Sequence, residues 1–228
     1  MMKVTYLSQS GFFLEMDDAG FLFDYYRGEI PVMAAEKKLY VFVSHRHYDH
    51  FEKSIFQLRD EFPHIEYILS DDIRTEETKS VHRMSAGQEL ELDNCKIQTL
   101  HSTDEGVAFL VGYAGKTFYH AGDLNWWHWE DESEAYNRMM GADYRREIDR
   151  MKGMYIDAAF IPVDPRLEKE YFLGLDYFMK QTETSIVFPM HFWEKYEVFD
   201  WLERQPEVQP YLDRIVRIER EGQEYLWK

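Results

Sequence analysis

Residues 39–51 read LYVFVSHRHYDHF, and the fold turns on this stretch. Leu39–Val43 is a continuous apolar run of strand length, as expected for a strand buried on both faces. Ser44 ends it, and His45, His47, Asp49 and His50 follow within six positions. Loops at strand ends are where α/β folds gather functional side chains. A lone histidine is more often structural than functional. Four potential ligands in six positions reverse that prior and point to metal. His45 and His47, one residue apart, suit a shared cation, and Asp49 and His50 can serve a second. Neutral imidazole and carboxylate hold zinc and harder divalent ions alike.

Two cations need more donors, and the remaining candidates also sit just past apolar runs. His101 follows KIQTL, Asp123 follows KTFYH within HAGD, and His191 follows SIVFP within PMHF. Taken singly, each is as readily a satisfied polar residue as a ligand. Their shared placement argues for a common role.

The rest of the chain sets the frame. Short strands over Val4–Leu7, Gly11–Met16 and Gly20–Asp24 predict an antiparallel meander. Glu66–Leu69, Lys96–Leu100, Val107–Tyr113 and Lys116–His120 read as strands, with a tight hairpin at Ala114-Gly115. Lys53–Arg59 has helical spacing. Glu132–Lys152 predicts a helix with Ala135, Met139, Ile148 and Met151 as its apolar stripe, bent or broken at Gly141. A strand (Ala158–Pro162), a helix (Leu173–Gln181), a strand (Ser185–Pro189) and a helix (Val198–Glu203) follow. Strands near Ile215–Glu219 and Glu224–Trp227 close the chain. This mixture predicts an α+β fold of two mixed sheets covered by helices. No linker-like segment divides residues 1–228, which read as one domain.

Composition excludes several classes. The 228 residues are 45% hydrophobic and 17% aromatic, ample for a core and unlike a disordered chain. With 43 acidic and 26 basic residues the net charge is −17, which repels phosphate backbones and argues against nucleic acid as a partner. No run reaches the ~18–20 apolar residues of a membrane span, and no signal peptide is evident, so a cytoplasmic location is the expectation. The single cysteine, Cys95, permits no internal disulfide and reads as a small buried residue. The aromatic content allows a homo-oligomeric interface. Neither GxSxG nor GxxxxGK[ST] occurs, so no serine elbow or P-loop competes for a catalytic role.

HRHYDH at 45–50 resembles the HxHxDH signature of the metallo-β-lactamase superfamily. His101, the Asp of AGD at Asp123, and His191 follow in that family's order, and the resemblance runs over nearly the whole chain. It implies a four-layer αββα sandwich. It also implies two divalent metal ions, with zinc the first expectation and manganese or iron also suited. His45, His47 and His101 would hold one ion, and Asp49, His50 and His191 the other. Asp123 would bridge the two. Asp49 and Asp123 would then be the catalytic carboxylates, and Asp24 would lie behind the metal site. The di-iron, oxygen-reducing branch carries glutamate where His47 stands, which favours hydrolysis over electron transfer. Among branches, the chain is most similar to the one containing L-ascorbate-6-phosphate lactonase. The implied activity is cleavage of a small ester, lactone or phosphoester. Alternatives are a non-catalytic metal-binding module and a phosphodiesterase or nuclease of the tRNA 3′-processing type.

Several residues are candidates for the pocket. Arg46 and Tyr48 alternate with the ligands; they face substrate or are a surface charge and a packing ring. His120 is a proton donor, a brace or a plain buried histidine. His128 sits among Trp126, Trp127 and Trp129, which wall a pocket or pack the following helix. Tyr25, Tyr26 and Arg27 follow Asp24 and could line the same mouth. Asp104 and Glu105 orient ligands or are loop residues. His64 and His82 read as structural or exposed.

Overall fold

Most of the strands fall where the apolar runs predict them. A computed structural model describes residues 2–227. These form two compact units, residues 2–85 with 219–227, and residues 86–218.

The first unit opens with Met2–Ser8 (β1), Gly11–Glu15 (β2) and Ala19–Phe23 (β3), the expected antiparallel meander. Lys38–Val43 (β4), Ile65–Ser70 (β5) and Val81–Met84 (β6) then add in parallel. Because β3 and β4 run in parallel, both chains leave the sheet at the same edge. Asp24 and Ser44-His45 therefore emerge side by side. Alternation divides the aromatic residues between the sheet's faces. Phe21 stacks on Tyr40 at 5.3 Å between ring centres and Phe23 on Phe42 at 4.8 Å, each pair directly opposite in register. Phe13, Leu22, Val41, Val43 and Leu69 form a separate cluster closed by Ile55 and Tyr67. Ile55 lies on a 3-10 helix over Lys53–Asp60, where helical spacing predicts an α-helix; Glu52 caps it through its side chain.

The second unit is a six-stranded sheet. Glu89–Leu92 (β7), Cys95–His101 (β8), Val107–Tyr113 (β9) and Lys116–His120 (β10) pair antiparallel. Ala114 and Gly115 both take positive φ, 48° and 75°, as a tight two-residue hairpin requires. Glu134–Asp149 (α1) follows, then Tyr155–Pro162 (β11), Leu173–Gln181 (α2) and Glu183–Met190 (β12). The last two strands add in parallel, so Asp164 and His191 emerge at one edge. Val198–Arg204 (α3) completes the unit, and Glu224–Trp227 (β13) pairs with β1 in the first sheet. Cys95 is fully buried. No helix among the described residues is long and apolar enough to cross a membrane.

Four expectations need correction. Strands β6 and β7 are additional; both are four-residue segments at the edges of their sheets, too short to stand out in the chain. Ile215–Glu219 is not a strand: only Ile215 bridges Val187, and Arg217 turns out to Asp200 and Glu203. The buried face of α1 carries Asn137, Met140, Gly141, Tyr144 and Ile148, whereas Met139 is 51% exposed and Ala135 faces solvent. Gly141 does not break α1. A Cβ there would lie 2.6 Å from Cε2 and Nε1 of the Trp126 indole, so glycine makes room for that ring.

Gly141→Ala should therefore lower stability by about 1–3 kcal/mol through overpacking, although alanine is the better helix former by about 1 kcal/mol. Urea denaturation measures the sign, and a gain in stability would contradict the packing role.

Candidate metal centre

In the first unit the site grows from a buried carboxylate. Asp24 is fully buried at the end of β3, with φ of 42°. Its Oδ1 accepts the Ser44 N–H at 2.7 Å, and its Oδ2 accepts the Ser44 hydroxyl at 2.6 Å and His50 Nδ1 at 2.7 Å. The Ser44 hydroxyl donates to Asp24, so its lone pair takes the His45 Nδ1–H at 3.0 Å. Both imidazoles thus carry their proton on Nδ1, assigned from these partners, and present the Nε2 lone pair. His45 Nε2 faces His47 Nδ1 at 3.0 Å, and His50 Nε2 faces Asp49 Oδ2 at 3.6 Å. Imidazole and carboxylate donors turned towards each other at such distances are the chemistry a divalent cation takes, so the donor set fits.

The second unit repeats the device. Asp164, fully buried just past β11, takes His191 Nδ1 on Oδ2 at 3.0 Å. It also accepts the Arg166 backbone N–H at 2.9 Å and the Arg166 guanidinium. His191 Nε2 then faces Asp123 Oδ1 at 3.4 Å. His191 sits at φ of 61°, a conformation a non-glycine residue holds only when its surroundings enforce it. Burial acts to raise the Asp164 pKa, and the hydrogen bonds and charges of His191 and Arg166 outweigh it and hold the carboxyl below 3.8.

The other candidates divide. Asp123 is buried; its backbone carbonyl accepts Trp127 Nε1–H at 3.0 Å. Trp127 packs edge-on to His191 at 5.6 Å and stacks on Trp129, and Arg166 lies over both Trp129 and Trp193. Trp127 and Trp129 are therefore a wall beside His191, while Trp126 packs on α1. His101 is exposed at the end of β8, its N–H donating to Glu147. Among the described residues it joins no group of three ligand atoms within 4.8 Å of one another. His120 is fully buried, and its Nδ1 accepts the Gly122 N–H at 3.2 Å, bracing the turn that leads into Asp123. His128 is half-buried with Trp126, Asn137 and Arg145 around a cavity of its own. Arg46 and Tyr48 line a cavity beside the His45–His50 loop. Tyr25 hydrogen-bonds Gly28, and Arg27 is tied to Ser8 and Glu221. The Asp104 side chain is exposed and Glu105 partly so. His82 pairs with Glu66 and His64 is exposed, as structural histidines.

Two residues were missed. Asp164 ends AFIPVD much as Asp24 ends GFLFD, and that parallel was available. Gln9, buried at φ of 55° in the β1–β2 turn, brings Nε2 to 3.5 Å from Asp49 Oδ2; a lone glutamine in LSQSG carries no signal.

Residues 3–139 match the family described as the Beta-lactamase superfamily domain. The chain belongs to this family and has the metallo-β-lactamase fold. Similar solved structures include Igni18, a metallo hydrolase of Ignicoccus hospitalis (18% identity, TM-score 0.64, covering 100% of this chain and 99% of that one). They also include the metallo-beta-lactamase fold protein YhfI of Bacillus subtilis (16%, 0.65, 98% of each). A third is isothiocyanate hydrolase from Delia radicum gut bacteria (13%, 0.58, 99% of each). No curated protein matches the chain significantly.

Asp164→Asn should cost stability at neutral pH. The ionised form gains in the fold, so the gap to the parent is fully present above 3.8 and closes as pH falls through the lower folded value. Denaturation midpoints in chelator from pH 7 to about pH 3 check this. A gap that widens on acidification would refute the assignment.

Proposed function

We propose that this chain is a metal-dependent hydrolase acting on a small ester, lactone or phosphoester. One observation carries the reading. In each unit a buried carboxylate fixes a histidine tautomer through Nδ1, so that Nε2 meets a second carboxylate: Asp24–His50–Asp49 and Asp164–His191–Asp123. Such support for the distal nitrogen is the mark of a metal-ligating histidine. A wholly structural histidine has no need of a second carboxylate.

Following the family pattern, His45, His47 and His101 are assigned to one ion and Asp49, His50 and His191 to the other, with Asp123 shared. Zinc suits this set, and manganese and iron share its ligand chemistry. Divalent ions held there supply Lewis acidity, lowering the pKa of water and polarising a carbonyl or phosphoryl oxygen. The chain's own residues do the rest. Asp24 and Asp164 fix the tautomer and the orientation of the imidazoles. Asp49, hydrogen-bonded by Gln9, is assigned the role of orienting the attacking water. Trp127 and Trp129 give His191 an apolar flank that limits water. All seven family positions are filled, which favours an enzyme over an idle metal-binding module. The net charge of −17 favours a small substrate over nucleic acid.

His47→Ala and Asp123→Ala should each lower bound metal and reduce turnover at least about a hundredfold while leaving the circular dichroism unchanged. Metal analysis of the purified protein, then a screen of lactones, thioesters and phosphodiesters, measures both. Undiminished turnover in the two variants would sink the assignment.

A further inference from the structure

The first unit contains a cavity of about 560 Å3 that begins on the metal-ligand loop itself. Arg46 and Tyr48, the residues between His45, His47 and Asp49, line it together with Phe51, Glu52, Lys53, Asp72, Ile73 and Arg74. Its size is that of a small-molecule site. Tyr48 is 67% exposed and stands edge-on against Tyr26.

The charges are organised. Both carboxylates are engaged with backbone: Glu52 accepts the Ser54 N–H at 3.3 Å, and Asp72 Oδ2 accepts the Arg46 N–H at 3.0 Å. Two of the three cations are not similarly occupied. Among the described residues neither Lys53 nor Arg74 forms an ion pair or a side-chain hydrogen bond. Lys53 and Arg74 are exposed beside the cavity and available to pair with an anion there. Phe51 and Ile73 supply an apolar floor between them. Asp72 Oδ1, buried with no hydrogen-bond partner, is an acceptor for an O–H or N–H of the same ligand.

We propose that this cavity binds a small organic anion, a phosphate or carboxylate joined to an apolar body, and that Lys53 and Arg74 are its charge contacts. That the anion is part of the substrate rests on the hydrolase reading; the binding itself does not. Arg46 and Tyr48 then link recognition to chemistry, since each is flanked by ligand-loop residues.

Phenyl phosphate is the probe, with phenol as its neutral counterpart, titrated into the metal-loaded protein at low ionic strength and followed by backbone amide shifts. Shifts at Tyr48, Lys53, Ile73 and Arg74, with phenol much weaker, are expected. Lys53→Ala/Arg74→Ala, both surface changes, should raise Kd about tenfold or more and remove most of the salt dependence. An unchanged Kd in that double variant overturns the proposal. So do shifts confined to His45, His47 and His50, or equal binding of phenol. These outcomes leave the hydrolase reading standing. That reading fails through metal content and turnover, even where phenyl phosphate binds as described.

Discussion

A charge without access to water governs the first unit. Asp24 is fully buried, and an isolated buried carboxylate would cost several kcal/mol or lose its charge. It avoids both by accepting three hydrogen bonds, from the Ser44 N–H, the Ser44 hydroxyl and His50 Nδ1. The last two come from groups that themselves settle imidazole tautomers. One carboxylate therefore decides where two histidines keep their protons, directly for His50 and through Ser44 for His45. Parallel pairing of β3 and β4 makes this geometry available, because it brings Asp24 and Ser44 to the same sheet edge.

The second unit reaches the same result with different parts. Its parallel pair is β11 and β12, its carboxylate Asp164, its histidine His191. Arg166 adds a charge that Asp24 lacks, and it couples the carboxylate to Trp129 and Trp193. Positive φ at both Asp24 and His191 shows that the backbone bends to suit the side-chain network at each sheet edge. The cost of order 1–3 kcal/mol per strained residue is of the size that one or two charge-assisted hydrogen bonds offset.

Much of this was legible before any coordinates. Continuous apolar strands are unmistakable, and four ligands in six positions leave few readings, so β4 and its loop emerge from the chain alone. Asp24 enters only through the family resemblance, which puts an acidic residue behind the metal site. Asp164 was not singled out, because a carboxylate before proline reads first as a turn or helix cap, and it does cap the turn over Pro165–Glu170 as well. The stripe on α1 failed for a different reason. Helical periodicity alone ranks Met139 and Met140 equally, and only the Trp126 indole lying against Gly141 selects the register. The exposure of His101 likewise depends on tertiary surroundings that no local pattern encodes.

Charge placement distinguishes the loop from the surface at large. A strongly acidic chain raises the local concentration of cations and lowers that of anions, which suits metal loading and opposes an anionic substrate. A site that needs both must confine positive charge to one short range. At ~0.15 M salt the Debye length is about 8 Å, so cations beside the ligand loop can act on a ligand there with little interference from distant acids. Arg46, Lys53 and Arg74 occupy such a position, and the neighbouring carboxylates are held by backbone N–H groups. The net acidity of the chain and a local group of cations are then compatible: on the proposed reading the first favours metal ions and the second an anionic ligand.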